Sequence, residues 1–103
     1  MKSLEQSMDA LARANKIRCG RAQAKREIRA GELTVVAALD REDCRSATVW
    51  ELVMAQAHWG RSKTIKLMRG QLRYDGYHLQ LPPYRVVGDL SAMERVALVE
   101  ALS

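Results

Sequence analysis

The residues best placed to do chemistry lie in one run. Arg61, Lys63, Lys66, Arg69 and Arg73 follow Gly60 at short intervals, and no Asp or Glu interrupts from Trp59 to Tyr74. The chemistry this pattern suits is anion binding. A helix starting beside Gly60 leaves its first-turn amides without intrahelical acceptors, and the positive end of its dipole adds to the cations. The best-matched ligand is the phosphate of a nucleic acid. Bond-making chemistry is not indicated. The acidic residues form no clustered metal site, no nucleophile stands at a recognisable spacing from a base, and Cys19, Cys44, His58 and His78 do not compose a zinc set. We therefore expect no enzyme, cofactor, metal or small-molecule substrate.

Two helices must position that run. Thr48 and Glu51 have capping-box spacing, and Val49, Leu52, Val53 and Gln56 recur at helical steps, which predicts a helix from Thr48 ending near His58. Gly60 is expected to take a positive φ and reverse the chain. Ser62 would then cap a second helix that carries Ile65, Met68 and Leu72 on one side. Alone, Gly60 also reads as an ordinary helix stop, and Trp59 either fills the seam between the helices or stacks on a nucleic acid. Packing is the commoner fate of such a tryptophan.

A second basic surface lies upstream. Residues 1–11 are mixed, and from Arg13 to Ala30 the chain has no Pro and one Gly. Arg18, Arg21, Lys25 and Arg29 fall within about a quarter of a helix circumference. The apolar line Ala10, Ile17, Ala24 and Ile28 runs beside them and would lay the helix on the domain body, with Gly31 as its stop. A charged stripe is usually just a solvated helix face. Four cations on one narrow arc repel each other, however, and a polyanion would relieve that repulsion.

The remaining elements are shorter. Leu33 to Leu39 suggests a small helix, Asp40 to Ser46 a charged connector, Tyr74 to Tyr77 a turn, and Tyr77 to Pro83 a loop of extended character. A second capping box, Ser91 to Glu94, opens a last helix expected to bury Met93, Val96, Ala97 and Leu98 or Leu102.

Composition agrees with these assignments. A chain of 103 residues suits one domain, and 5% aromatics with no Phe leave the core to aliphatic side chains. The net charge of +5 is unevenly spread: residues 1–30 and 59–74 are each +5, whereas 31–58 are −3 and 75–103 are −2. Two basic blocks therefore alternate with two acidic ones, a distribution that favours a polyanionic partner. With no signal-peptide pattern and no apolar run near a membrane span, the chain is expected in the cytoplasm with reduced thiols and no membrane partner.

The run Gly60-Arg61-Ser62-Lys63-Thr64-Ile65-Lys66-Leu67-Met68-Arg69 resembles the Gly-x-x-Lys-Ala-x-x-Ile-Met turn-and-helix of the actinobacterial (mycobacterial-type) integration host factor family. That family has a helix-two-turns-helix fold related to a ribosomal small-subunit protein. The similarity extends over roughly residues 12–102, with Arg13 to Gly31 like the family's long basic helix, Leu33 to Asp43 like its short second helix, and Arg85 to Leu98 like its closing segment. One departure is visible: beside Arg85 stand Val86 and Val87 where the family has several arginines, which weakens that contact surface.

The resemblance implies an all-α protein of about five helices. A long basic helix (1–31) would pack on a helix-two-turns-helix core (33–103). It further implies a nucleoid-associated, architectural protein of double-stranded DNA. DNA contacts would come from Gly60, Arg61, Ser62, Lys63 and Lys66, from Arg85, and from Arg18, Arg21, Lys25 and Arg29. Its roles would be nucleoid organisation, DNA recombination or transcription regulation, in a bacterium or a bacteriophage, with recombinases or other nucleoprotein components as further partners. RNA is the alternative ligand, because the same turn occurs in a ribosomal protein and phosphate contacts do not report the sugar.

Overall fold

A computed structural model describes residues 4–102 of the chain, with side chains described from Met8 on. The fold is all-α apart from one small hairpin. The five α-helices among the described residues are α1 (Leu4–Ala30), α2 (Val35–Ala38), α3 (Val49–Met54), α4 (Arg61–Lys66) and α5 (Ala92–Leu102). Residues 4–11, mixed in sequence, belong to α1, so the long helix begins at Leu4 rather than near Arg13; residues 1–3 lie outside the described residues.

Helix α1 stops at Gly31, whose left-handed backbone (φ 79) suits a residue without Cβ. Only its second half lies on the body. Ala24 and Ile28 are buried, whereas every residue from Met8 to Cys19 is exposed. Of the expected apolar line, Ala10 is exposed and Ile17 only borders a cleft against Arg41, Glu42 and Asp43, so the expectation that both lie against the core is corrected. The reason is length: at 1.5 Å per residue a helix of 27 residues spans about 40 Å. The body is too short to cover it, and the molecule measures 52 × 30 × 20 Å.

Where α1 meets the body, Gly20 is required. A 3₁₀ turn at Glu42–Cys44 packs against the helix, and a Cβ on Gly20 would stand 2.9 Å from the Cγ of Asp43. Asp43 cannot easily move aside, because Arg41 donates to both its carboxylate oxygens (3.0 and 2.7 Å) and also to Glu27 (3.0 Å). The hydrogen-bonded Asp43 carboxylate raises the Arg41 pKa, and the guanidinium in turn holds the Asp43 carboxyl below its ordinary value. Next in sequence, burial pushes the Cys44 thiol up to about 11.

The core joins Ala24 and Ile28 of α1 to Val35, Ala38 and Leu39, to Val49, Leu52 and Val53 of α3, to Leu67, Met68, Leu72 and Leu81, and to Ala97 and Leu98 of α5. Helices α2 and α3 are each started by a threonine cap. Thr34 and Thr48 accept amide hydrogens three residues on, at 3.1 Å in each case. The α5 capping box forms as expected, with Ser91 N donating to Glu94 Oε1 (3.0 Å) and Glu94 N to Ser91 Oγ (3.2 Å). On α5, Ala97 and Leu98 are buried, but Met93 and Val96 are exposed, against expectation. The core presents a narrow surface to this helix, and only one side of it is covered.

Two segments differ from the sequence expectation in instructive ways. After α4 the helix widens into a π turn over Leu67–Gln71, so that Thr64, Leu67, Met68 and Leu72 are buried while Ile65 is only half-buried. The widening coincides with an extended strap: Leu79 N donates to Leu72 O and Leu81 N to Met68 O, both at 2.9 Å. The expected loop after Arg73 contains a hairpin of β1 (Arg73–Tyr74) and β2 (Tyr77–His78), paired antiparallel with Tyr74 opposite Tyr77 and Arg73 opposite His78. Asp75 (φ 50) and Gly76 (φ 82) both sit in the left-handed region, as a two-residue type I′ turn demands.

Candidate nucleic-acid interface

The turn ahead of α4 is built differently from the expectation. Helix α3 ends at Met54 rather than near His58, and the left-handed residue of the reversal is His58 (φ 66), not Gly60. Histidine tolerates that region better than most side chains, and reversing there lets Trp59 tuck half-buried against the core. Gly60 is extended (φ −92, ψ 177) and is itself the N-cap of α4, so Ser62 lies inside the first turn instead of capping it.

The expected bare amides nevertheless form. The Gly60 carbonyl accepts from both Thr64 N (3.2 Å) and Thr64 Oγ1 (3.0 Å). The amides of Arg61, Ser62 and Lys63 meet no acceptor among the described residues, and residues 60–63 are all exposed. No carboxylate of the chain is paired with Arg61, Lys63 or Lys66 among the described residues. A Cβ on Gly60 would meet nothing within 4 Å, so the protein itself does not require glycine there. Its effect is to leave the main chain bare where a ligand would approach.

The upstream stripe reaches this turn at one end only. Lys63 Nζ sits 5.0 Å from the centre of the Trp59 ring, a cation–π contact. Trp59 and Arg29 line a common cleft of about 320 Å³ with Gln56 and Leu102. Arg29 and Lys25 border a second cleft of about 410 Å³ against Trp50, Met54 and Ala55. Arg29, Trp59 and Lys63 thus belong to one continuous face. The other two stripe residues diverge from it. Arg21 turns to α3, with Ser46 Oγ at 3.4 Å and Glu51 at 3.8 Å, whereas Arg18 stands on the uncovered half of α1 beside Leu11 and Asn15.

Arg85 is engaged internally. Its Nη1 donates to both carboxylate oxygens of Glu94 at 2.7 Å, and its carbonyl accepts from Val49 N at 2.9 Å. The neighbouring valines are structural: Val86 bridges Thr48, and Val87 is buried and donates to Ala47 O at 2.9 Å. Valines here dock the segment onto the start of α3.

Sequence reading missed the apolar floor between the cations. Trp50 and Met54, four residues apart on α3, lie outside its fully buried line and face the stems of Lys25, Arg26 and Arg29. Their spacing was the available signal. It also missed the exposed hairpin, for which tyrosines flanking Asp75-Gly76 were the sign.

Comparisons with protein families, with curated proteins and with solved structures find no match to this chain. The resemblance to integration host factors therefore rests on the residues that suggested it. No helix among the described residues is long and apolar enough to cross a membrane.

Proposed function

We propose that this chain is an architectural double-stranded DNA-binding protein of integration host factor type, which holds the phosphate backbone with low sequence specificity and bends the duplex. The observation that carries the reading is the contiguity of Arg29, Trp59 and Lys63 beside three unpaired, exposed amides at the start of α4. Main-chain donors and flexible cations suit phosphate oxygens, which lie along every sequence alike. The outward half of α1, bearing Arg13, Lys16 and Arg18, supplies a second contact beyond the body. Contacts at two separated surfaces favour a curved path for the duplex. A nucleoid role, recombination or transcription regulation follows from such a grip, with recombinases or other nucleoprotein components as co-residents on the DNA.

A salt titration of the purified protein against duplex DNA, single strands and hairpin RNA tests this. Duplex DNA should bind most tightly, with log K falling against log salt by about 0.9 per neutralised phosphate. Tighter binding of hairpin RNA at every salt would transfer the reading to RNA. Absence of binding to all three at low salt would end it.

A further inference from the structure

The hairpin exposes aromatic surface that the fold does not use. The chain has only five aromatic residues, two Trp and three Tyr. The tryptophans pack against the core, but Tyr77 is 71% and Tyr74 37% exposed. Directly opposite one another in the antiparallel register, these two side chains share one face of the hairpin. The hairpin is also held in place. Its turn is a two-residue reversal with both central residues left-handed, α5 packs on β1, and the strap from Leu79 to Leu81 is hydrogen-bonded to Leu72 and Met68.

The segment that leads into the hairpin, and its first strand, carry positive charge. Arg69 and Arg73 are exposed and have no carboxylate partner among the described residues, while Asp75 is the one acid of the hairpin. Arg73 lies opposite His78 on the reverse face of the hairpin, so cationic and aromatic surfaces back onto one another, which matches nucleic acid whose bases are accessible: phosphates meet the cations and base faces meet the rings. An acidic peptide would satisfy the arginines but would leave the ring faces without a flat partner. Geometry links this surface to the phosphate cradle. The 11 residues from Arg61 to Gln71 form one continuous helical run, with the cradle at its start and the hairpin following its end.

We infer that the Tyr74–Tyr77 face of the hairpin is a base-stacking platform, and that the preferred DNA has unpaired or unstacked bases beside the duplex segment held at the start of α4. This rests on the DNA-binding reading and names the kind of DNA. Base stacking on an aromatic ring depends on the π face and not on the phenol hydroxyl, so Phe substitutes and Ser does not.

The test compares a fully paired duplex with the same duplex carrying a three-nucleotide bulge, at matched salt, with 2-aminopurine in the bulge. The wild-type chain should bind the bulged duplex roughly tenfold more tightly and quench the 2-aminopurine on binding. Tyr77→Ser combined with Tyr74→Ser should abolish both effects while keeping paired-duplex affinity within about threefold, and Tyr77→Phe should retain both. Equal wild-type affinity for the two duplexes, or a preference unaltered in a folded double-Ser variant, overturns the platform and leaves phosphate gripping intact. Failure to bind either duplex overturns both readings together.

Discussion

Two groups of cations in this molecule have similar chemistry and opposite surroundings. Arg21, Arg41, Arg85 and Arg95 each reach a carboxylate, and all four join segments distant in sequence or pin a connector. Arg61, Lys63, Lys66, Arg69 and Arg73 have none among the described residues and stand along α4 and its continuation. The first group holds the fold and the second is free for an external anion. What separates them is where the acids fold, since a guanidinium with its fork already filled has little left to offer a phosphate.

The comparison is easiest to break at its extremes. Arg61→Ala with Lys63→Ala should leave the melting temperature nearly unchanged, lower duplex affinity by roughly two orders of magnitude and reduce the salt slope by about two. Thermal melts with fluorescence anisotropy titrations across salt would measure this; an unaltered slope in a folded variant removes the turn from the interface. Arg85→Ala should do the reverse. Glu94 keeps a largely covered carboxylate without its partner, so stability should fall by about 1–3 kcal/mol, with the salt slope preserved. A slope lowered by one would show that Arg85 belongs to the second group after all.

Acid should act on the first group alone. Because Arg41 holds Asp43 below its ordinary pKa, folding favours the ionised carboxylate. That contribution is present above pH about 4 and is lost as pH falls through the folded value. Melting temperature plotted against pH should therefore drop on the acid side for the wild-type chain, and more shallowly for Asp43→Asn. In the same cluster, alkylation of the native protein should modify exposed Cys19 and spare Cys44, which is buried and whose thiol is raised to about 11; mass spectrometry of labelled peptides would report the ratio.

The smallest effect is the most discriminating for the turn. Gly60→Ala meets no neighbour, and the backbone there is one that any residue adopts, so stability should change by less than about 1 kcal/mol. If the bare main chain admits a phosphate, duplex binding should still weaken roughly threefold. Wild-type affinity in this variant would mean that the ligand does not approach closely at residue 60.

How much of this was legible beforehand differs by element. The Ser91–Glu94 capping box, the threonine cap at Thr48 and the stop of α1 at Gly31 could be read directly, because each is fixed by residues within four positions of one another, whereas Glu51 turns to Arg21 instead of closing the box with Thr48. The cationic block was equally plain. Ile17 and Val96 looked like core and are exposed, since periodicity shows that a face is apolar but not whether anything covers it. The reversal was assigned to Gly60 because glycine accommodates positive φ most cheaply, yet His58 adopts it, driven by the seating of Trp59.

Local chemistry thus decided where helices begin and that positive charge concentrates in residues 59–74, because hydrogen-bond caps and charge runs act over a few neighbouring residues. Tertiary structure decided which cations are spent: Glu94 lies nine positions from Arg85 and Glu27 fourteen from Arg41, and only the packing of helices brings them together. It also decided that Arg29 on the first helix stands beside Trp59 in the turn, a proximity created by burying Ala24 and Ile28 in the shared core. Hydrophobic burial sets such long-range neighbours, and no short stretch of sequence encodes it.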